Sequence, residues 1–402
     1  MKTLVLSTYP ATAEASGGVV RLRRIMEALA KADVQTQLLA IVPPGPARSS
    51  SGNQWIVPLP ADAFRPVDHR AIGFHDVLTG LAAQDCTTTL DALEARIRAF
   101  APDALFLEQP YLVDIAAKAM ERHPNLKLIY SSANIEAPLK RELAALTPQY
   151  YRHPDDLISH VDRMERKATD LASLVIAISG QDAETLQIWG APKLVVCGNG
   201  SHVADTQRGP VRAPDQMNQR WFGCVGSGYW PNVEGVASVL RPSLAFLPVD
   251  CRLVLGGRIG EHVQRHNAYK RGRAINDARI IDCGLVSDTA YVDLLRSVDA
   301  LLLPAFVGGG SMLKAADVLA AGAVTLISRR AMIGYEDIVA SAGRRVIVAD
   351  TPDEFRTRWI ELTRLSKDEL KQLGAADGHV EASLSWSARL AGLAPALRSA
   401  LT

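Results

Sequence analysis

Residues 304–322 read PAFVGGGSMLKAADVLAAG and follow the apolar run Leu301-Leu302-Leu303. A short leucine-rich run ending at a proline predicts a buried strand, and the spacing from Met312 to Gly322 predicts a helix. Between them stands Gly308-Gly309-Gly310-Ser311. Glycines let a backbone approach a ligand closely, and the amides at a helix start favour an anion. Lys314 adds a full positive charge one turn in. Strand, turn and helix together predict a βα unit that grips phosphate at its strand end. The same residues by themselves also suit a solvated loop, so the surrounding chain has to decide between the two.

The alternation of strand and helix continues in both directions. Runs at 222–226, 252–256, 279–283, 300–304, 324–328 and 345–349 predict one parallel sheet, and runs at 3–7, 37–41, 104–108, 127–131 and 174–178 predict another. The first run leads into Ser16-Gly17-Gly18 and then Leu22, Ile25, Met26 and Leu29 at helical spacing. A polar stretch at 205–219, with Pro210 and Pro214, reads as a linker. The expected organisation is an N-terminal Rossmann-like domain at 1–204, the linker, and a C-terminal Rossmann-like domain at 220–385. A last helix at 386–402, with Trp386, Leu390, Leu393 and Leu397 on one face and Pro395 as a kink, is expected to return to the first domain. Thr351-Pro352-Asp353-Glu354 predicts a capped helix start. The fold class is therefore α/β, two open parallel sheets facing across a cleft, with ligands at the carboxyl ends of the strands.

Bulk properties narrow the function. The 402 residues exceed one ordinary core, and 48% hydrophobic with 22% charged residues is a globular composition. The 44 basic and 43 acidic residues nearly cancel, which argues against nucleic acid as a partner. No apolar run reaches the length of a membrane span, and Met1-Lys2-Thr3 leads straight into a strand, so the expected location is the cytoplasm, with peripheral contact at a membrane's inner face left open. Cys86, Cys197, Cys224, Cys251 and Cys283 are dispersed and read as reduced core or near-core residues. No metal motif stands out: His153, Asp156 and His160 share a helix face but read as solvated.

Residues 304–322 resemble the donor-site signature of family-4 glycosyltransferases of the GT-B fold: a proline, a glycine turn, a lysine, an acidic residue three positions on, then Ala-x-Gly. Further segments are similar in register. Ser16-Gly17-Gly18 resembles the family's N-domain glycine loop, Met164-Glu165 with Ala168, Asp170, Val175-Ile176, Ser179 and Asp182 resembles a spaced run before the linker, and Asn199-Gly200 resembles its Asn-Gly. Residues 222–227 with Pro231-Asn232, and 253–257, match the first two units of the C-domain. The resemblance implies a retaining transfer of sugar from a nucleoside diphosphate sugar, without a cofactor or metal, to a hydroxyl of a glycan, lipid-linked or small acceptor. It implies Lys314 and Asp317 as catalytic residues, with Asp317 on donor sugar or ribose hydroxyls. It also implies a donor site of Gly17, Gly18, Gly226, Arg258, Gly308, Gly309, Gly310 and Ser311.

Four positions depart from that pattern: Ala133 replaces a histidine, Gly309 a glutamate, Met312 an arginine, and Asp317 a second glutamate. Asn134 and Glu136 remain beside Ala133, and Glu108 with Gln109 and Tyr111 follows a strand, so Glu108, Asn134 and Glu136 are candidates for acceptor or sugar contacts; capping and loop solvation are the competing roles. Arg21 lies near the Gly17-Gly18 loop, and Tyr229 and Trp230 suit either a stacking platform or a cover for the sheet edge. Two other readings stay open: an inactive homologue serving as a binding subunit, and a sugar-nucleotide epimerase or phosphorylase of the same fold.

Overall fold

The structure, a computed structural model, describes residues 1–13, 16–45, 52–64, 74–146, 148, 154–205, 218–308, 310–375 and 378–402. The chain divides into two compact units, Met1–Gly198 with Leu390–Thr402, and Asn199–Arg389. Residues 199–204 and 386–389 thus fall in the second unit, and 206–217, most of the expected linker, lie outside the described residues.

The first unit holds β1 (Lys2–Ser7), β2 (Gln35–Val42), β3 (Gln54–Pro58), β4 (Ala104–Glu108), β5 (Lys127–Ser131), β6 (Leu174–Ala177) and β7 (Leu194–Val196). All pair in parallel, in the order β3-β2-β1-β4-β5-β6-β7. The order reverses between β1 and β4, where a parallel sheet opens a crevice at its carboxyl edge. Five of the strands stand where the apolar runs predict them, and β3 and β7 add to the expected set. β3 is five residues long with a polar first residue, and β7 has three residues, so neither shows a run that exceeds its surroundings. Ser16 caps the helix Gly17–Lys31, which buries Val19, Leu22, Ile25 and Leu29.

The second unit holds β8 (Arg220–Val225), β9 (Cys251–Gly256), β10 (Ile280–Asp282), β11 (Ala300–Leu303), β12 (Val324–Ser328) and β13 (Val346–Ala349), in the parallel order β10-β9-β8-β11-β12-β13. All six are at predicted positions. Successive side chains of a strand point to opposite faces. Leu301 and Leu303 accordingly pack in one core with Val254, Leu319 and Ile327, while Ala300 and Leu302 pack in another with Phe222, Leu326 and Trp359. Both faces are covered, which is why these strands read as continuous apolar runs.

Helix starts follow the local chemistry. The Thr351 side chain accepts from the Glu354 amide, but the reciprocal bond from the Glu354 carboxylate goes to the Asp350 amide; the complete capping box lies at Ser366 and Glu369. The C-terminal segment is two helices, Trp386–Arg389 and Leu393–Leu401. Pro395 falls in the first turn of the second, where a missing N–H costs no intrahelical bond. Leu390, Leu393 and Leu397 are buried, Lys193 Nζ reaches the Ser399 carbonyl at 2.6 Å, and Arg398 reaches the Ala32 carbonyl at 2.6 Å. Cys197, Cys224 and Cys251 are buried as expected; Cys283 is exposed, because β10 ends one residue before it at the sheet edge.

Candidate functional site

In the second unit the strand order reverses between β8 and β11. The turn after β11 carries Gly308 at φ +90° and Gly310 at φ +79°, left-handed conformations that only glycine adopts without strain. Gly309 lies outside the described residues. Three carbonyls of the turn are each held by a side chain from elsewhere. Gly308 O accepts from Arg330 Nε, Ser311 O from Asn199 Nδ2 at 3.1 Å, and Met312 O from the Tyr335 hydroxyl at 3.1 Å. A fixed carbonyl fixes the following amide in the same peptide plane, so the Met312 and Leu313 N–H directions are set before any ligand arrives. The helix Leu313–Ala320 presents its first amides at this end. Ser311 Oγ is buried there with no hydrogen-bond partner among the described residues.

Lys314 spans the point of reversal. Its Nζ donates to Asn232 Oδ1 at 2.5 Å, and Asn232 sits in the first turn of the helix Trp230–Leu240 that follows β8. Burial draws the Lys314 ammonium down from 10.5 to about 8, an effect the neighbouring Cys224 sulfur opposes. A partly desolvated cation beside fixed amides is the arrangement that holds a diphosphate. The helix Trp230–Leu240 approaches closely because residue 235 is glycine: a Cβ there would lie 1.9 Å from the Pro304 carbonyl oxygen.

The other expected donor residues of this unit, Gly226 and Arg258, follow the strands β8 and β9. Gly226 directly follows β8, its amide donating to the Gly256 carbonyl and its carbonyl accepting from the Ile259 amide. Arg258 is exposed at the start of the helix Ile259–Arg265, two residues past β9. Tyr229 and Trp230, the cap and first residue of the helix Trp230–Leu240, are exposed. Met312 packs against the apolar core of the unit, so it supplies no phosphate contact.

Asp317, expected at donor hydroxyls, is already held. Its Oδ1 accepts from the Ser201 hydroxyl at 2.8 Å and the His202 amide at 2.9 Å, and its Oδ2 from the Tyr291 hydroxyl at 3.1 Å. Burial pushes the Asp317 carboxyl up, and those donors pull it back.

In the first unit, the groups expected at strand ends do gather at the edge between β1, β4 and β5. Gly17 and Gly18 open the helix after β1, and the room that a Cβ of Gly18 would fill is taken by the Tyr9 hydroxyl, 2.7 Å from that position. Glu108 is buried at the end of β4, and burial pushes its carboxyl up to about 7 against Arg21 and the Ser131 hydroxyl. Arg21 is itself buried and donates to the Cys197 carbonyl at 2.9 Å. Gln109 follows at φ +67°, a strained backbone for a residue with a side chain. Asn134 and Glu136 bond each other at 3.0 Å, and the Glu136 carboxylate also accepts from the Tyr111 hydroxyl at 2.8 Å and pairs with Lys140 at 3.5 Å. Glu165 accepts the Glu136 and Ala137 amides and so caps the helix Glu136–Leu146; burial nonetheless pushes it up to about 8. Ala133, in the place of the expected histidine, is buried.

Asp76, in the helix His75–Gln84 and accepting from the Thr8 hydroxyl just past β1, belongs to these clusters with Lys140 and Asn232, and all three escaped the sequence reading as site residues. Each lies inside a helix, where its spacing matches an ordinary solvated face. The candidate metal trio leaves His153 outside the described residues, and among those residues no three His, Cys, Asp or Glu side chains are placed to hold a metal. No helix of the described residues is long and apolar enough to cross a membrane.

No protein-family model and no curated protein matches the sequence. Solved structures do match over nearly the whole chain. Sucrose-phosphate synthase from Thermosynechococcus elongatus is similar at a TM-score of 0.75 and 15% identity, covering 99% of each chain. HepE from Anabaena, in complex with UDP, is similar at 0.64 and 13%, covering 99% of this chain and 100% of that one. The fold is GT-B. A trehalose-6-phosphate structure from E. coli bound with UDP-2-fluoro glucose is also similar, at 0.65 and 13%, covering 100% and 99%. At these identities, what the chains share is the fold.

Proposed function

We propose that this chain is a glycosyltransferase that moves a sugar from a nucleoside diphosphate sugar to a hydroxyl acceptor, with retention at the anomeric carbon. The observation that carries the reading is the glycine turn at the strand reversal of the second unit, its carbonyls held away by Arg330, Asn199 and Tyr335 and its cation supplied by Lys314. Departure of a nucleoside diphosphate builds negative charge on the leaving oxygen, and donors fixed in advance stabilise that charge without reorganising. In this reading Gly308, Gly309, Gly310, Ser311 and Lys314 hold the diphosphate, Gly226 and Arg258 border it, and Gly17 and Gly18 make a further phosphate contact. Glu108, Asn134 and Glu136 line the acceptor side, whose acceptor is a glycan, a lipid-linked or a small molecule. Neutralisation by Lys314 and helix amides requires no metal ion. The described solved structures support a UDP-sugar as the first donor to try, since UDP and UDP-2-fluoro glucose occupy two of them. The reading includes a cytoplasmic location, with membrane contact set by the acceptor.

The test is calorimetric titration of UDP, GDP and ADP, followed by transfer from the matching sugar nucleotide. Lys314→Ala is expected to weaken the best nucleotide by about tenfold or more, the scale of one charge-assisted contact, and to abolish transfer. Unchanged affinity and turnover would remove the diphosphate assignment, and nucleotide binding without transfer or hydrolysis would point instead to an inactive binding homologue.

A further inference from the structure

We infer that Asp317 is a positioning residue, which holds the anion turn in place by clipping the helix Leu313–Ala320 to the 201–202 turn and to Tyr291 and does not read donor hydroxyls. The inference rests on the donor-site reading above. An ionised carboxylate has about four acceptor sites, and three donors already converge on Asp317 at 2.8, 2.9 and 3.1 Å. Being one methylene shorter than glutamate, Asp317 ends against the backbone of the 201–202 turn. That turn is itself organised around Ser201, a buried residue whose hydroxyl donates to Asp317 and accepts the Val203 amide at 2.9 Å and the Ala204 amide at 3.2 Å. Two residues earlier, Asn199 donates to the Ser311 carbonyl. One segment, 199–204, therefore grips the phosphate turn at Ser311 and the helix behind it at Asp317. Lys314 lies between those two grips, one turn from Asp317.

The sign of one measurement separates this role from the alternatives. Replacing Asp317 by asparagine removes a negative charge one turn from Lys314, which by Coulomb's law alone strengthens anion binding. It also turns one carboxylate oxygen into an NH2 donor: with Oδ1 kept on the Ser201 hydroxyl and the His202 amide, the NH2 takes the Oδ2 place and reverses the bond with Tyr291, and all three contacts lose their charge assistance, which loosens the clip. Positioning thus predicts weaker anion binding despite the more favourable charge.

The experiment titrates inorganic pyrophosphate, UDP and 2′,3′-dideoxy-UDP into wild type, Asp317→Asn and Tyr291→Phe, with a thermal midpoint for each. Asp317→Asn is expected to weaken pyrophosphate and UDP by the same factor, about tenfold, and to leave the ratio of UDP to dideoxy-UDP affinity as in wild type. Tyr291→Phe, which removes one donor and no charge, is expected to weaken pyrophosphate in the same direction by a smaller factor, and it carries the test should Asp317→Asn fail to fold. Pyrophosphate binding that is unchanged or tighter in the variants overturns the inference, as does a fall of the UDP to dideoxy-UDP ratio on substitution. Wild type that binds pyrophosphate and no nucleotide removes the donor reading while leaving the clip testable; wild type that binds neither overturns both.

Discussion

Burial draws the Lys314 ammonium down to about 8, so its protonation changes within reach of an ordinary buffer series. An anion on the turn favours the charged form, which means that binding takes up a proton once the free lysine has lost its own. Nucleoside diphosphate affinity is therefore expected to hold steady below pH 8 and to fall above it, by up to about tenfold per pH unit. Lys314→Arg keeps its charge throughout that range, so its affinity should stay level with pH. Titration of UDP between pH 7 and 9.5 measures both curves; equal slopes in the two proteins would show that some other group controls the dependence.

The helix Trp230–Leu240 shows how an element far from the ligand sets the site. Gly235 brings it against the Pro304 carbonyl, and Asn232 on the same helix meets Lys314. Alanine is the better helix former by about 1 kcal/mol, but its Cβ would meet a backbone oxygen at 1.9 Å, a clash that no side-chain rotation relieves. Overpacking of this kind costs about 1–3 kcal/mol. Gly235→Ala is expected to lower the thermal midpoint and also to weaken nucleotide binding, because the relieving movement shifts Pro304 or Asn232; a more stable protein with unchanged affinity would show the contact to be irrelevant. Elements such as β11 were legible from sequence because a strand buried on both faces has to be apolar at every position, and the glycine turn was legible because its conformation excludes most other residues. Asn232 and Asp317 were harder to interpret. The first lies at an ordinary helix position, and the role of the second depends on Ser201 and Tyr291, which are 116 and 26 residues away in sequence. The short strands β3 and β7 were missed because sheet pairing, not local composition, determines them.

At the scale of the whole molecule the first unit buries carboxyls, and the second buries the Lys314 ammonium as well as the Asp317 carboxyl. In the first unit, burial raises Glu108 from 4.5 to about 7 and Glu165 to about 8. In the native state these carboxyls hold protons that the unfolded chain has released, so this unit loses stability as pH climbs from about 4.5 through 8. In the second unit Lys314 is lowered from 10.5 to about 8, so between pH 8 and 9 the unfolded chain holds the extra proton and stability rises; above pH 9 the Cys224 and Cys251 thiols, which burial raises to about 11, oppose that rise. The Glu108 contribution is on the order of 3 kcal/mol, large against ordinary domain stability. Scanning calorimetry from pH 5 to 9 is expected to show two components whose midpoints respond differently: one falls up to pH 8, and the other rises between pH 8 and 9. Glu108→Gln removes a titrating group, so its advantage over wild type should grow from pH 5 to pH 8 in the first component alone. Saturating UDP should raise the second component more than the first, since a ligand stabilises most the unit that supplies most of its contacts. Parallel pH curves for Glu108→Gln and wild type would show that Glu108 is not the buried acid responsible, and a UDP shift confined to the first component would place the donor in the other unit.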